Sequence, residues 1–82
     1  MNKYESVVII NPSIDEEGVK TLVEKFTNLI NNDGKLEKVE NLGKRKYEVF
    51  YFEANPELIF ELERNYRITD EVIKFMTIKV ED

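Results

Sequence analysis

Three consecutive cations, Lys44, Arg45 and Lys46, are the residues of this sequence best suited to binding chemistry. They stand out because the chain as a whole has 12 basic and 17 acidic residues and a net charge of -5. Lysine and arginine bind phosphate oxygens and release counterions, and arginine can do so through two parallel hydrogen bonds. The triplet therefore indicates a phosphate contact. A solvated turn that keeps an edge strand from aggregating is an equally good interpretation, since basic runs are common on protein surfaces.

Other cations and one aromatic residue lie where they could assist such a contact. Lys3 stands near the start of the chain and could reach a phosphate, and Arg67 lies past a predicted helix, where it is free to meet a ligand. Tyr4 could stack on a base, although packing in the core is the better interpretation for an aromatic residue beside a strand. Arg64 is predicted to pair with a glutamate of its own helix.

The composition excludes most catalytic chemistry. The chain has no cysteine and no histidine, which excludes disulfides, thiolate nucleophiles, zinc fingers and imidazole bases. Adjacent acids such as Glu16 and Glu17 are typical of a helix start rather than of a catalytic pair. The sequence predicts no enzyme, no metal, no cofactor and no small-molecule substrate. It lacks an apolar run of membrane-spanning length, and its charged first residues are unlike a signal peptide, so we expect a cytoplasmic location.

Hydrophobic periodicity predicts a single domain over residues 1–82. Period-two and period-3.6 patterns alternate along the chain, and asparagine–proline pairs precede both helical stretches. Asp15 and Asn55 are the predicted helix caps, and the segment 31–34 is predicted to end the first helix, with Gly34 able to take the left-handed conformation. The predicted elements are strand Tyr4–Ile10, a helix up to the segment 31–34, a strand from Lys35, strand Tyr47–Ala54, a helix ending near Tyr66, and strand Val72–Val80.

This order, β-α-β-β-α-β, predicts an α+β fold of the ferredoxin-like kind, in which a four-stranded antiparallel sheet carries two helices on one face. The other face of the sheet is left without a helix. Alternation assigns Phe50 and Phe52 to the core. An uncovered apolar face on a small protein usually lies against another molecule, so the sequence predicts a docking surface formed by Val7, Ile9, Val49 and Tyr51.

Several short segments, taken together, resemble the bacterial ribosomal protein of the small subunit numbered six, here called the S-six family. They occur in the family's order and cover nearly the whole chain: 3–5, 11–12, 15–17, 43–45, 55–58, 61–64, 67–68 and 75–77. The resemblance implies a structural protein of the cytoplasmic ribosome that binds small-subunit ribosomal RNA together with ribosomal protein S-eighteen. It also implies ribosomal RNA contacts by Lys3, Lys44, Arg45, Lys46 and Arg67, with S-eighteen on the open sheet face.

The resemblance breaks at one place, after Lys46. In the family a longer strand, a polar turn and a returning aromatic strand follow the basic segment, whereas here Lys46 leads directly into the strand Tyr47–Ala54. On the order of a dozen family positions are missing, more than the tip of an ordinary hairpin. We therefore expect a shortened hairpin between the second and third strands, closed by the segment 41–44, in which Asn41 and Gly43 tolerate turn dihedrals.

A second interpretation gives the same fold a different function. Ferredoxin-like domains also serve as regulatory ligand-binding modules, and such a module would form a homodimer through its open sheet face. Binding of RNA and of S-eighteen distinguishes the two interpretations.

Overall fold

The computed structural model describes residues 1–42 and 46–80, which form four strands and two helices. Their order is the predicted one, and within these residues no helix is long and apolar enough to cross a membrane. The bounds of β3 and β4 are those expected from the sequence, whereas β1 starts two residues earlier and α2 ends two residues later. The elements are β1 Asn2–Ile10, α1 Glu16–Asp33, β2 Lys35–Leu42, β3 Tyr47–Ala54, α2 Pro56–Ile68 and β4 Val72–Val80.

The N-terminus of α1 is capped as predicted. The carboxylate of Asp15 accepts a hydrogen bond of 2.8 Å from the backbone N–H of Gly18, which satisfies one of the free donors of the first turn. Ile14 and Val19, on either side of the cap, both pack against the core and hold the chain as it enters the helix.

The predicted left-handed conformation at the end of α1 is wrong. Gly34 has φ -149° and ψ -160°, which is extended backbone that any residue adopts. Glycine is needed there for space, because a Cβ would lie 2.6 Å from the carbonyl oxygen of Glu53 and 3.0 Å from Leu58. The second cap also differs in detail: Asn55 is the N-cap residue of α2, but its side chain makes no capping hydrogen bond.

The connection between β2 and β3 is short, but two of the four residues predicted to form its turn are strand residues. Asn41 and Leu42 are paired residues of β2, opposite Glu48 and Tyr47, rather than turn residues. The amide of Asn41 donates a 2.8 Å hydrogen bond to the buried carboxylate of Glu48, which fixes this end of the ladder. The other predicted turn residues, 43 and 44, lie outside the described residues.

The strands form one antiparallel sheet in the order β2-β3-β1-β4, and both helices cover the same face. Ser6 and Phe50 are paired across β1 and β3, so their side chains share a face. Tyr66 of α2 contacts Ser6, and Phe26 of α1 packs edge-on against Phe50. The predicted ferredoxin-like architecture, with one face free of helices, is therefore confirmed.

A small polar cluster lies inside this otherwise apolar core. The hydroxyl oxygen of Ser6 is 2.8 Å from that of Tyr66 and 2.9 Å from that of Thr77, and Ser6 is fully buried. Burial disfavours the phenolate and so raises the pKa of Tyr66 well above its usual range, which keeps this hydroxyl protonated and able to donate. The cluster joins β1, β4 and α2 at one point.

Replacing Ser6 by alanine is expected to lower the free energy of unfolding by about 1–3 kcal/mol, because the Tyr66 hydroxyl is left without its buried partner. Adding Tyr66→Phe to Ser6→Ala should recover part of this stability, since no unpaired hydroxyl of Tyr66 then remains. Urea unfolding of the two single variants and the double variant measures this coupling. If the losses of stability in the two single variants simply add in the double variant, Ser6 and Tyr66 are not coupled and the prediction is wrong.

Candidate nucleic-acid and partner interface

Lys46, the last residue of the basic triplet, adjoins the end of the sheet where β1 finishes and β3 begins. The backbone N–H of Ile10 donates a 2.9 Å hydrogen bond to the carbonyl of Lys46, which holds Lys46 beside the last residue of β1. Lys44 and Arg45 lie outside the described residues. An open cleft of about 300 Å³ is formed at this end, and its lining residues are Ile9, Ile10, Pro12, Lys46 and Tyr47.

Arg67 lies at the same end of the sheet as Lys46. The turn that follows α2 is joined to the loop that follows β1 by a 2.8 Å hydrogen bond from the N–H of Asn11 to the carbonyl of Glu71. The Arg67 guanidinium carbon is 5.7 Å from the ring centroid of Phe75, a cation–π distance that orients an exposed side chain.

Lys74 is a third cation at this end, and sequence reasoning missed it. It pairs with Ile9 across β1 and β4, and it lines a second cleft of about 240 Å³ with Val7, Ile9, Phe75 and Met76. A signal for it was present, because alternation along β4 puts Lys74 on the same face as Met76, Ile78 and Val80.

Lys3 does not join this group. It lies at the start of β1, seven positions before Ile10, which is about 23 Å at the usual rise of a strand. Its side chain is exposed and lies on the face without helices, because it pairs with Glu53 and Val80. Of the cations predicted to bind RNA, Lys46 and Arg67 lie at one end of the sheet and Lys3 lies at the opposite end.

Within residues 1–42 and 46–80, no carboxylate forms an ion pair with the cations near the cleft. Among the described residues, the ion pairs join Lys38 to Glu40 and Arg64 to Glu61, the latter as predicted for Arg64. Neither Lys46 nor Arg67 has a carboxylate within ion-pair distance in this part of the chain. Their charges are therefore available to an anionic ligand.

The residues predicted to dock a partner lie on one face, as their pairing shows. Val7 is opposite Val49, Glu5 is opposite Tyr51, and Ile9 belongs to the same face as Val7 by alternation. Val49 nevertheless is only 3% exposed. It supports the face from within and offers almost no surface to a partner.

A charged cluster covers the β2–β3 half of this face. The Lys38 Nζ is 2.8 Å from Glu40 Oε1 and 4.7 Å from the ring centroid of Tyr51, whose hydroxyl donates a 3.4 Å hydrogen bond to Glu40 Oε2. The hydrogen bond between Lys38 and Glu40 raises the pKa of Lys38 and lowers that of Glu40. Desolvation raises the pKa of Tyr51. The cluster holds Tyr51 in place and makes this half polar.

The apolar surface available on this face therefore lies over β1 and β4. Met76 is 61% exposed and Ile78 is 47% exposed, and they pair with Val7 and Glu5 of β1. Here we call the set Val7, Ile9, Met76 and Ile78 the apolar half. It borders Lys74, so that one surface combines apolar side chains with the cationic end of the sheet.

Comparison with known proteins assigns the chain to a family. A family model described as "Ribosomal protein S6" matches residues 3–79. The chain belongs to this family. The S-six assignment expected from the sequence is thereby confirmed, and its members are ribosomal components rather than enzymes, which also confirms the absence of an enzymatic role. The cytoplasmic ribosome is accordingly the location of the chain, where it is associated with ribosomal RNA.

Individual relatives give the same result. The small ribosomal subunit protein bS6 of Clostridium novyi is 43% identical to this chain over 94 residues, and the alignment covers 99% of both chains. The bS6 protein of Clostridium beijerinckii is 48% identical over 91 residues, and the alignment covers 95% of this chain and 96% of the relative. Among solved structures, 30S ribosomal protein S6 from Thermotoga maritima superposes with a TM-score of 0.89 at 34% identity, covering 96% of this chain and 87% of that one.

The alignment lengths agree with a shortened chain. The comparison with the Clostridium novyi S-six protein spans 94 positions although this chain has 82 residues, so at least twelve positions have no counterpart here. In the structure, four residues (43–46) separate Leu42 of β2 from its partner Tyr47 of β3. The hairpin is the position at which the sequence predicted the missing stretch.

Proposed function

We propose that this S-six protein binds small-subunit ribosomal RNA jointly with ribosomal protein S-eighteen. The observation that carries the proposal is a set of cations at one end of the sheet, Lys46, Arg67 and Lys74, which make no ion pair with any described residue. Lys44 and Arg45 are their neighbours in the sequence. On a chain with a net charge of -5, this end is the part suited to approach a polyanion.

The chemistry of this end fits phosphate binding. Lysine side chains act as flexible point charges, whereas Arg67 is held against Phe75 and can present its donors in a fixed direction. Lys3 lies about 23 Å away along β1 and would contact the phosphate backbone of the RNA at a second point. Such contacts position a protein on RNA without reading its sequence, and shape then supplies most of the selectivity.

The overall acidity of the chain explains why a partner is needed. Contacts with phosphates supply much of the affinity for nucleic acid. The five cations at this end of the acidic chain can make only a few such contacts. We propose that S-eighteen docks on the apolar half, beside Lys74, and completes the RNA-binding surface. Because a charged cluster covers Tyr51 and Val49 is buried, the contact is shifted from the centre of the sheet towards β4.

Electrophoretic mobility shifts with the central domain of small-subunit ribosomal RNA test the proposal. The protein alone should bind weakly, S-eighteen and this protein together should give a ternary complex, and the complex should weaken as salt rises. Binding to neither RNA nor S-eighteen would overturn the proposal and would favour the ligand-module interpretation.

Docking on the apolar half predicts a specific effect of substitution. Met76→Glu places a charge in the centre of this surface and should weaken binding of S-eighteen by about tenfold or more, as expected for a contact residue near the middle of an interface. Phe60→Glu is the matched control, because Phe60 is a large apolar side chain of α2 that is 76% exposed on the helical side. Titration calorimetry measures both affinities. Equal affinities for the two variants would exclude the apolar half as the docking surface.

A further inference from the structure

Tyr47 differs from the other three tyrosines of the chain in the surroundings of its side chain. Tyr4 and Tyr66 pack against aromatic rings of the core, and Tyr51 is held by the charged cluster over β2 and β3. Within residues 1–42 and 46–80, Tyr47 makes no aromatic or cation–π contact. Since Tyr47 is only half-buried, part of its side chain is accessible to a ligand.

Tyr47 lines the cleft at the cationic end of the sheet. It pairs with Ile9 across β3 and β1, so both residues belong to the face without helices. Ile10, Pro12 and Lys46 complete the lining, and Lys46 makes no ion pair with any described residue. The cleft, here called the Tyr47 cleft, therefore combines one aromatic and several apolar side chains with a positive charge.

This composition suits a single nucleotide. Unpaired bases of RNA stack on aromatic side chains, while lysine binds the neighbouring phosphate. The cleft volume of about 300 Å³ lies at the lower end of the range for small-molecule sites, which fits one base rather than a longer segment. In a duplex the bases stack on one another, so duplex RNA could use the cations at this end but not the apolar lining.

We propose that the Tyr47 cleft binds one unpaired nucleotide of RNA, with its base against Tyr47 and its phosphate on Lys46. This contact presupposes the RNA binding proposed above, and it names a single-stranded segment as the ligand at this end of the sheet. Stacking uses the flat face that all four bases share, so we expect little preference among them.

The neighbouring cleft beside Lys74 is less suited to a base. Its aromatic residue, Phe75, already contacts Tyr66 at a centroid distance of 5.1 Å and Arg67 at a cation–π distance. The rest of that cleft belongs to the apolar half, where we place S-eighteen. In the Tyr47 cleft, by contrast, Lys46 favours an anionic ligand, and a nucleotide supplies both a negative charge and a flat ring.

Filter binding of the ternary complex at several salt concentrations tests the contact through Tyr47→Ala. Loss of one base stack should weaken RNA binding by about 5- to 100-fold. The slope of log affinity against log salt should stay unchanged, because the substitution removes no charge. Tyr47→Phe keeps the ring and should retain the affinity. Phe60→Ala, which removes an exposed ring on the helical side, is the control and should change neither quantity.

The possible outcomes separate the base contact from the proposed function. If the unsubstituted protein and S-eighteen together fail to bind the RNA, the proposed function is wrong and the base contact is wrong with it. If they bind and Tyr47→Ala binds equally tightly, only the base contact is wrong. Weaker binding of Tyr47→Ala to S-eighteen in the absence of RNA, measured by titration calorimetry, would mean that S-eighteen occupies the cleft and would also overturn the base contact.

Ultraviolet cross-linking of the ternary complex locates the base without any substitution, so it does not depend on the folding of a variant. Irradiation joins a base to a side chain in direct contact with it, and mass spectrometry after nuclease and protease digestion identifies that side chain. We expect a nucleotide attached to Tyr47, from an unpaired position of the central-domain RNA. Attachment to Tyr4 or Tyr51 with none at Tyr47 would overturn the proposal.

Discussion

Replacing Phe26 by alanine is expected to lower the free energy of unfolding by about 3–5 kcal/mol, the usual cost of removing a buried phenylalanine. Phe26 is 1% exposed and lies where α1, α2 and the sheet meet. Its ring centroid is 4.8 Å from that of Tyr66 and 6.2 Å from that of Phe50, edge-on in both cases. Truncation would remove both aromatic contacts and leave a cavity between the two helices and the sheet.

The size of the domain makes this destabilisation severe. At the usual stability per residue, 82 residues give about 4–12 kcal/mol in total, so the substitution would remove a large part of it. Urea unfolding followed by circular dichroism measures the change, with Phe60→Ala as the control. Phe60 is 76% exposed, and its truncation should alter stability by no more than about 0.5 kcal/mol. Similar destabilisation of the two variants would contradict the assignment of Phe26 to the core.

Local patterns in the sequence were sufficient to predict the fold. The β-branched and aromatic runs, the period of α1 and the cap at Asp15 are all signals within a few residues, and each is realised in the structure. Gly34 shows where such signals fail. A glycine after a helix suggests a left-handed cap, but here the carbonyl of Glu53 approaches closely, and that contact depends on β3 and cannot be recognised locally.

The candidate site was predicted less completely, because exposure depends on several strands at once. Alternation placed Val49 and Tyr51 on the correct face, but nothing in β3 reveals that Lys38 and Glu40 of β2 lie against Tyr51. Lys74, in contrast, was missed although the topology implied its position. Its place beside Ile9 follows from the pairing of β4 with β1, which the sequence implied through the topology but did not show at single residues.

The basic triplet is expected to have the largest functional effect. Replacing Lys44, Arg45 and Lys46 together by alanine should weaken the ternary complex with S-eighteen and RNA by about tenfold at 0.1 M salt for each phosphate interaction that the substitution removes. The slope of log affinity against log salt should fall by about 0.7–0.9 for each such interaction, because fewer counterions are released. Filter binding at several salt concentrations measures both quantities.

A control with the same change in charge separates local phosphate contact from the effect of net charge. Alanine at Lys20, Lys35 and Lys79 also removes three positive charges, and all three side chains are exposed and lie outside the predicted RNA contacts. Long-range repulsion between RNA and this acidic chain depends mainly on net charge, so loss of three cations would weaken RNA binding by both triple variants to a similar extent. Direct contact of the triplet with phosphates would lower the slope of log affinity against log salt in the triplet variant alone. Equal slopes for the two triple variants would mean that the triplet is a solvated turn and that the RNA meets another part of the chain.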